Sequence, residues 1–210
     1  MNQAQIAVPA SVPTNVLRLK AVSPLVFQAM IAVAGSMLVA VCAHVSVPLL
    51  FTPVPLTLQT FAVLLLGLTL NPATAFAALT LYLAEGAAGL AVFSPHGPGG
   101  ILQLMGPTGG YLLSYPLAAA MTGLIARRSR MSFGRCALSA AAGSLVILAL
   151  GAGWFGVLAH QSLATILKLT VWPFLPGDAL KVCAAAGIAA GLSWARNRFR
   201  GASRSSADVL

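Results

Sequence analysis

Trp172-Pro-Phe-Leu-Pro-Gly-Asp-Ala-Leu-Lys181 is the stretch from which the rest of the chain can be read. It holds Asp178, one of three acidic residues among 210, and Lys181 follows one helical turn later. Pro176 suits the first turn of a helix, where its missing N–H costs nothing. Asp178 then lies in that first turn, where the helix dipole favours an anion. The i, i+3 spacing puts Asp178 and Lys181 on one face. From Gly177 the sequence runs apolar to Trp194. An acid and a base therefore stand together at the mouth of a membrane-length helix. One reading is a structural ion pair at a helix end. The other is a binding site, because ionisable groups near membrane depth are usually functional.

The composition places this helix in a bilayer. The chain is 59% hydrophobic and 7% charged, against roughly 25% charged in a soluble domain, and its mean hydropathy is +0.91. It reads as an all-α integral membrane protein. A net charge of +9 would suggest nucleic acid as a partner of a soluble protein. Here the basic residues fall in short clusters beside apolar runs, so they are topology signals and no nucleic-acid partner is expected. Cys42, Cys136 and Cys183 are odd in number and form no C-x-x-C, so neither a disulfide framework nor a zinc site is indicated. No metal or cofactor is expected. Gly-x-Ser-x-Gly and His-Glu-x-x-His are both missing and the three histidines are scattered, so the chain is not read as an enzyme.

Three regions follow: a cytoplasmic tail over 1–23, a membrane domain over 24–198 and a basic cytoplasmic tail over 199–210. Six spans are expected in the domain, near Pro24–Val47, Leu56–Leu70, Pro72–Val92, Gly109–Ala126, Phe133–Leu158 and Gly177–Trp194. Ala32, Ser36 and Ala40 form a small-residue stripe on the first. It serves either packing within the chain or docking of a partner membrane protein. Pro48, Pro53 and Pro55 forbid a regular helix before the second span, so that stretch is expected to be a lid-like loop. Gln59 and Thr60 stand at the outer end of span two. Glu85, with Tyr82 one turn before it, lies in span three and is expected to face the bundle interior. The glycine- and proline-rich stretch Phe93–Thr108 is expected to be an irregular loop that can approach a ligand closely. Span four opens on Gly109-Gly-Tyr111, and residues 160–170 look like an amphipathic helix in the interface plane.

Lysine and arginine counts fix the orientation. The N-terminal tail carries two, the loop between spans four and five four, and the chain after Trp194 four, while Lys168 and Lys181 lie on the opposite side. Both termini are then cytoplasmic. Every unusual polar group gathers at one level on the extracytoplasmic side. A cavity there with two carboxylates, one lysine and flanking Gln, Thr and Tyr suits a small polar molecule. An ionised carboxylate only accepts and a lysine only donates, which matches N–H groups beside a carbonyl, as in a ureide or amide.

Four runs carry a resemblance: Pro55-Leu-Thr-Leu-Gln-Thr-Phe61, Gly86-Ala-Ala-Gly-Leu-Ala-Val-Phe93, Gly106-Pro-Thr-Gly-Gly-Tyr-Leu112 and Pro173-Phe-Leu-Pro-Gly-Asp-Ala-Leu-Lys181. Together they resemble the biotin-transport S component, the BioY family, over about Pro24 to Arg198. Ala91 departs from the family's usual proline before Val-Phe. The resemblance implies the substrate-binding subunit of an energy-coupling factor transporter in the bacterial cytoplasmic membrane. Its implied partners are biotin, a transmembrane coupling protein and two cytoplasmic ATPases. Asp178 and Lys181 would take the ureido group, with Glu85 as a further polar contact. Thr57, Gln59, Tyr82, Thr108, Gly109 and Tyr111 complete the expected site. The proline loop would close over the ligand and the glycine-rich loop would meet the valerate tail. That loop holds no arginine for the carboxylate, so backbone N–H groups, His96 or Lys168 must serve. The coupling contact is placed at Ala32, Ser36 and Ala40. The alternative is an autonomous secondary transporter for another small vitamin-like molecule. Such carriers often show internal repeats and ionisable relays, neither of which is found here.

Overall fold

Proline and small polar caps set where the helices begin. Ser23 accepts the N–H of Val26 at 3.3 Å ahead of α1 (Pro24–His44). Asn71 does the same for Ala73, also at 3.3 Å, ahead of α3 (Pro72–Ala87). In both helices the next residue is proline, at a position that needs no N–H. The computed structural model describes residues 23–127 and 131–207, with side chains to Arg198. The expected N-terminal tail before Ser23, Arg128 and Arg130 of the basic cluster, and the side chains of Arg200 and Arg204 lie outside the described residues.

Between α1 and α3 the chain forms a short antiparallel ribbon and a helix: β1 (Ser46–Val47), β2 (Leu56–Thr57) and α2 (Gln59–Thr69). Ser46 pairs with Thr57 and Val47 with Leu56. The proline stretch is thus the tip of a ribbon, not a wholly irregular loop. Span three stops at Ala87, short of the expected Val92. The reason is Gly89, with φ of +93°. Its N–H bonds Gly86 and the N–H of Leu90 bonds Glu85 (both at 3.1 Å), which closes the helix in a Schellman turn. The glycine-rich stretch is not all loop either, since it contains α4 (Gly100–Met105). Then come α5 (Gly109–Ala126), α6 (Phe133–Ala159), the short α7 (Leu163–Thr170) and α8 (Leu175–Ala207). The last runs well past the expected end at Trp194.

Among the described residues, four helices are long and apolar enough to cross a membrane: α1, α5, α6 and Leu175–Arg198 of α8. The helices α2 and α3 have 11 and 16 residues, so each is shorter than the roughly 20 residues a lone span needs. The helix α5 is the centre of the bundle, packed on α2, α3 and α6, with α1 against α3 and α8 against α2 and α6. Large apolar side chains such as Phe27, Met30, Met37, Leu138, Leu180 and Trp194 cover the outside, which suits a hydrocarbon solvent.

Small residues let these helices touch backbone to backbone. A methyl group on Gly67 of α2 would lie 2.6 Å from the Ala119 carbonyl oxygen of α5. Reciprocally, one on Gly123 of α5 would lie 2.8 Å from the Gly67 carbonyl oxygen. Gly187 of α8, by contrast, faces open space. Gly67→Ala is therefore expected to destabilise the detergent-solubilised chain by about 1–3 kcal/mol. Gly187→Ala is expected to be neutral or stabilising by at most roughly 1 kcal/mol, since helix propensity rises with no clash. Unfolding midpoints of the two variants, measured side by side, check both signs.

Candidate functional site

Three connections meet at one end of the bundle: the β1–β2 ribbon, the 88–108 stretch and the turn from α7 into α8. Under them lies a cavity with about 510 Å³ of empty space, part of it open to solvent. The sequence of each wall explains its chemistry.

Asp178 lies in the first turn of α8, its N–H bonded to the Phe174 carbonyl at 2.8 Å. The side chain of Lys181 comes back to Asp178 Oδ1 at 3.1 Å, and both side chains are about nine-tenths buried. Ser144 of α6 donates to the other carboxylate oxygen at 3.1 Å. The helix N-terminus, an ammonium and a hydroxyl thus all hold one carboxylate. Each carboxylate oxygen keeps a lone pair, and Lys181 keeps two N–H groups, for a ligand.

Another part of the lining is neutral. Gln59, at the start of α2, is 3% exposed. Its amide nitrogen donates to Tyr82 at 2.5 Å, and the Tyr82 hydroxyl donates to the Val92 carbonyl at 3.1 Å. A phenol has one proton, so spending it on Val92 forces Gln59 to present nitrogen there. The amide orientation follows from this chain of donors. Its oxygen accepts from Thr57 at 3.0 Å and, at a long 3.5 Å, from Tyr115. One amide N–H is left without a protein partner among the described residues. The hydroxyls of Thr60 and Ser94 are also buried without a partner there. Gln103 of α4 secures the loop by accepting from Gly99 N–H at 3.2 Å and donating to the Ser94 carbonyl at 3.3 Å. Gly97 lies beneath this amide, where a Cβ would come within 2.7 Å of it. Phe174, Leu112, Ile147 and Leu148 give the cavity its apolar surfaces.

Of the residues singled out in the sequence, Asp178, Lys181, Gln59, Thr57, Thr108 and Tyr111 line this one cavity. Tyr111 does so while donating its hydroxyl to the Thr170 carbonyl at 2.7 Å. Three others are close but not in the lining. Tyr82 is fully buried behind Gln59. Gly109 is a packing glycine with Trp154 Nε1 3.0 Å from where a Cβ would stand. Glu85 is half-buried and accepts a hydrogen bond from Ser36 of α1.

That bond also involves the small-residue stripe. Ser36 is fully buried, and Ala32 and Ala40 pack against the core. The stripe faces α3, where the absence of bulk lets α1 lie close: a Cβ on neighbouring Gly35 would stand 3.1 Å from the Ala78 side chain. Packing within the chain, one of the two uses read from the sequence, thus engages all three residues. His96 and Lys168, named for the ligand's acid end, are exposed and lie outside the lining.

Sequence reasoning missed Ser94, Gln103, Ser144, Tyr115 and Phe174. Tyr115 follows Tyr111 by four residues and so shares its helix face, a signal that was there to use. Gln103 was hidden because its helix was taken for a loop. Nothing local marks Ser144, whose role comes from the packing of α6 on α8.

A sequence model of the BioY family matches residues 12–198. The "Probable biotin transporter BioY" of Pyrococcus horikoshii is 39% identical over 137 residues, which is 65% of this chain and 79% of that one. The "Biotin transporter BioY" of Thermotoga maritima is 38% identical over 152 residues, 72% of this chain and 87% of that one. A crystal structure of the S-component for biotin from an ECF-type ABC transporter superposes with a TM-score of 0.73, at 22% identity, over 80% of this chain and 91% of that one. At that identity the superposition speaks for the fold. With its family match spanning nearly the whole helical bundle, the chain belongs to the BioY family.

Proposed function

We propose that the chain is the biotin-binding S component of an energy-coupling factor transporter. The observation that carries this reading is the buried Asp178–Lys181 pair sharing one cavity with the neutral hydrogen-bonding groups of Thr57, Gln59 and Thr60. A ureido group has two N–H donors flanking one carbonyl. Asp178 accepts from the N–H side, while Lys181 and the remaining N–H of Gln59 donate to the carbonyl. The rings of Phe174 and Tyr115 with Leu112 and Leu148 take the apolar rings and methylenes. No arginine is in the lining, so the unpartnered hydroxyls of Thr60 and Ser94 are the donors we assign to the tail carboxylate. Glu85 is given no ligand role here, because its hydrogen bond is to Ser36.

The same reading sets six passes, with α2 and α3 completing their crossings through the segments that flank them. Both termini are cytoplasmic and the cavity is extracytoplasmic, following the lysine and arginine bias. The membrane is the bacterial cytoplasmic membrane. Energy would come from two cytoplasmic ATPases through a transmembrane coupling protein. The curated relatives are named as transporters, in keeping with a chain that moves its ligand unchanged.

Equilibrium binding of biotin to the detergent-purified chain tests the site, with an analogue lacking the ureido nitrogens as control. Tight biotin binding with loss for the analogue is expected; no binding by folded protein would remove the assignment. Asp178→Asn and Lys181→Ala are each expected to weaken binding at least about tenfold, roughly 1.4 kcal/mol. Ser144→Ala is expected to weaken it less, by about threefold to tenfold, as one hydrogen bond to the carboxylate is lost. Uptake into vesicles containing this chain alone, without ATPases, would favour an autonomous carrier.

A further inference from the structure

Two separate pieces of chain cover the cavity: the ribbon between residues 45 and 58, and the stretch from 88 to 108. Neither forms a hydrogen-bonded sheet or helix with the other. Both are nonetheless fastened to the same side chain. The ribbon reaches Gln59 from one side, through Thr57, whose hydroxyl donates to the amide oxygen at 3.0 Å and lies 3.4 Å from the Gln59 N–H as its acceptor. The second stretch reaches Gln59 from the other side, through Tyr82. Its hydroxyl takes the Gln59 amide N–H at 2.5 Å and holds the Val92 carbonyl at 3.1 Å. The ring of the next residue, Phe93, stands edge-on to the Tyr82 ring, centroids 5.4 Å apart, and occupies the slot left by Gly86. Tyr82 itself is fully buried and outside the cavity lining.

We infer that Gln59 and Tyr82 form a positioning relay that couples the two covers of the cavity, so that each cover is ordered only while the other is. The physical basis is the single phenolic proton of Tyr82. When it bonds Val92, the phenol oxygen must accept from Gln59; that fixes the amide, and a fixed amide presents its oxygen to Thr57. Release of Val92 frees the Tyr82 proton to turn toward Gln59, and the amide orientation is then left to Thr57 and the long contact with Tyr115. Neighbouring polar groups within a protein interior strengthen one another in this way. Tyr82 is thus a positioning residue, acting on a ligand through Gln59 and through the loops.

Hydrogen exchange of the ligand-free chain in detergent, wild type against Tyr82→Phe, tests the relay without any ligand. Faster exchange is expected in both 92–99 and 45–57, although Tyr82 bonds nothing in the ribbon. Faster exchange confined to 92–99, or none in either, would overturn the inference. Faster exchange throughout α5 and α6 would mean that the variant had lost its fold. Gln59→Met, which keeps the shape and removes the amide, then decides by the same criterion. A second arm rests on the biotin reading. Tyr82→Phe is expected to raise the off-rate of biotin about tenfold with the on-rate changed less, and the Gln59→Met, Tyr82→Phe double variant should be no worse than the worse single one. Additive effects would overturn the relay. Failure of wild-type protein to bind biotin would remove the ligand reading and leave the exchange result to decide the relay.

Discussion

A carboxylate removed from water must be given partners, and the hold on Asp178 is the interaction on which the site depends. Its partners come from three places in the chain. The first turn of α8 supplies the helix dipole, Lys181 supplies a charge one turn on, and Ser144 supplies a hydroxyl from α6. Uncovering any of these would leave a buried charge short of compensation, which costs more than a hydrogen bond is worth when made. The bond to Ser144 therefore does two things. It satisfies the acid, and it ties the start of α8 to the middle of α6, where Ile147 and Leu148 form an apolar wall of the cavity. The packing of two helices and the charge state of the site are one arrangement.

The second carboxylate inside the bundle shows how much position matters. Glu85 lies in the last turn of α3, where the helix dipole disfavours an anion. Its side-chain partner is Ser36, across the α1–α3 contact. Asp178 and Glu85 look alike in sequence, each an acid in an apolar run. Only the first has the helix end and the cation that keep a carboxylate available to a ligand. The second is used within the packing of α1 on α3, alongside Gly35 and the small residues that bring those helices close.

This contrast explains what the sequence could and could not disclose. The start of α8 was legible because its signals are local: Pro176 for the first turn and an i, i+3 spacing for the pair. Helices α5 and α6 were legible from length and apolarity alone. The end of α3 was not, because Gly89 stops the helix inside a run that stays apolar through Val92. Helix α4 was missed because glycine and proline on both sides outweighed Ile101-Leu-Gln-Leu-Met105. The small-residue stripe of α1 stayed ambiguous for a different reason. A small-residue stripe reports that something approaches closely, but not whether the neighbour belongs to the same chain. Ser144 and the Gln59–Tyr82–Val92 sequence of bonds join residues far apart in the chain, and no spacing rule reaches them.

The charge balance of the cavity narrows what it can hold. Its lining has one acid and one base, already paired at 3.1 Å, and otherwise amides, hydroxyls and apolar side chains. A cationic head would gain Asp178 only by competing with Lys181, and an anionic head would gain Lys181 only by competing with Asp178. Either would leave one member of a nearly buried pair uncompensated. A neutral head that offers donors to the acid and an acceptor to the base keeps the pair intact and adds hydrogen bonds to both. The ribbon, the start of α2 and the 88–108 stretch present neutral groups as well, through Thr57, Gln59, Thr60 and Ser94. The lining thus suits a polar but uncharged head group beside apolar surfaces, and a ureide has that combination.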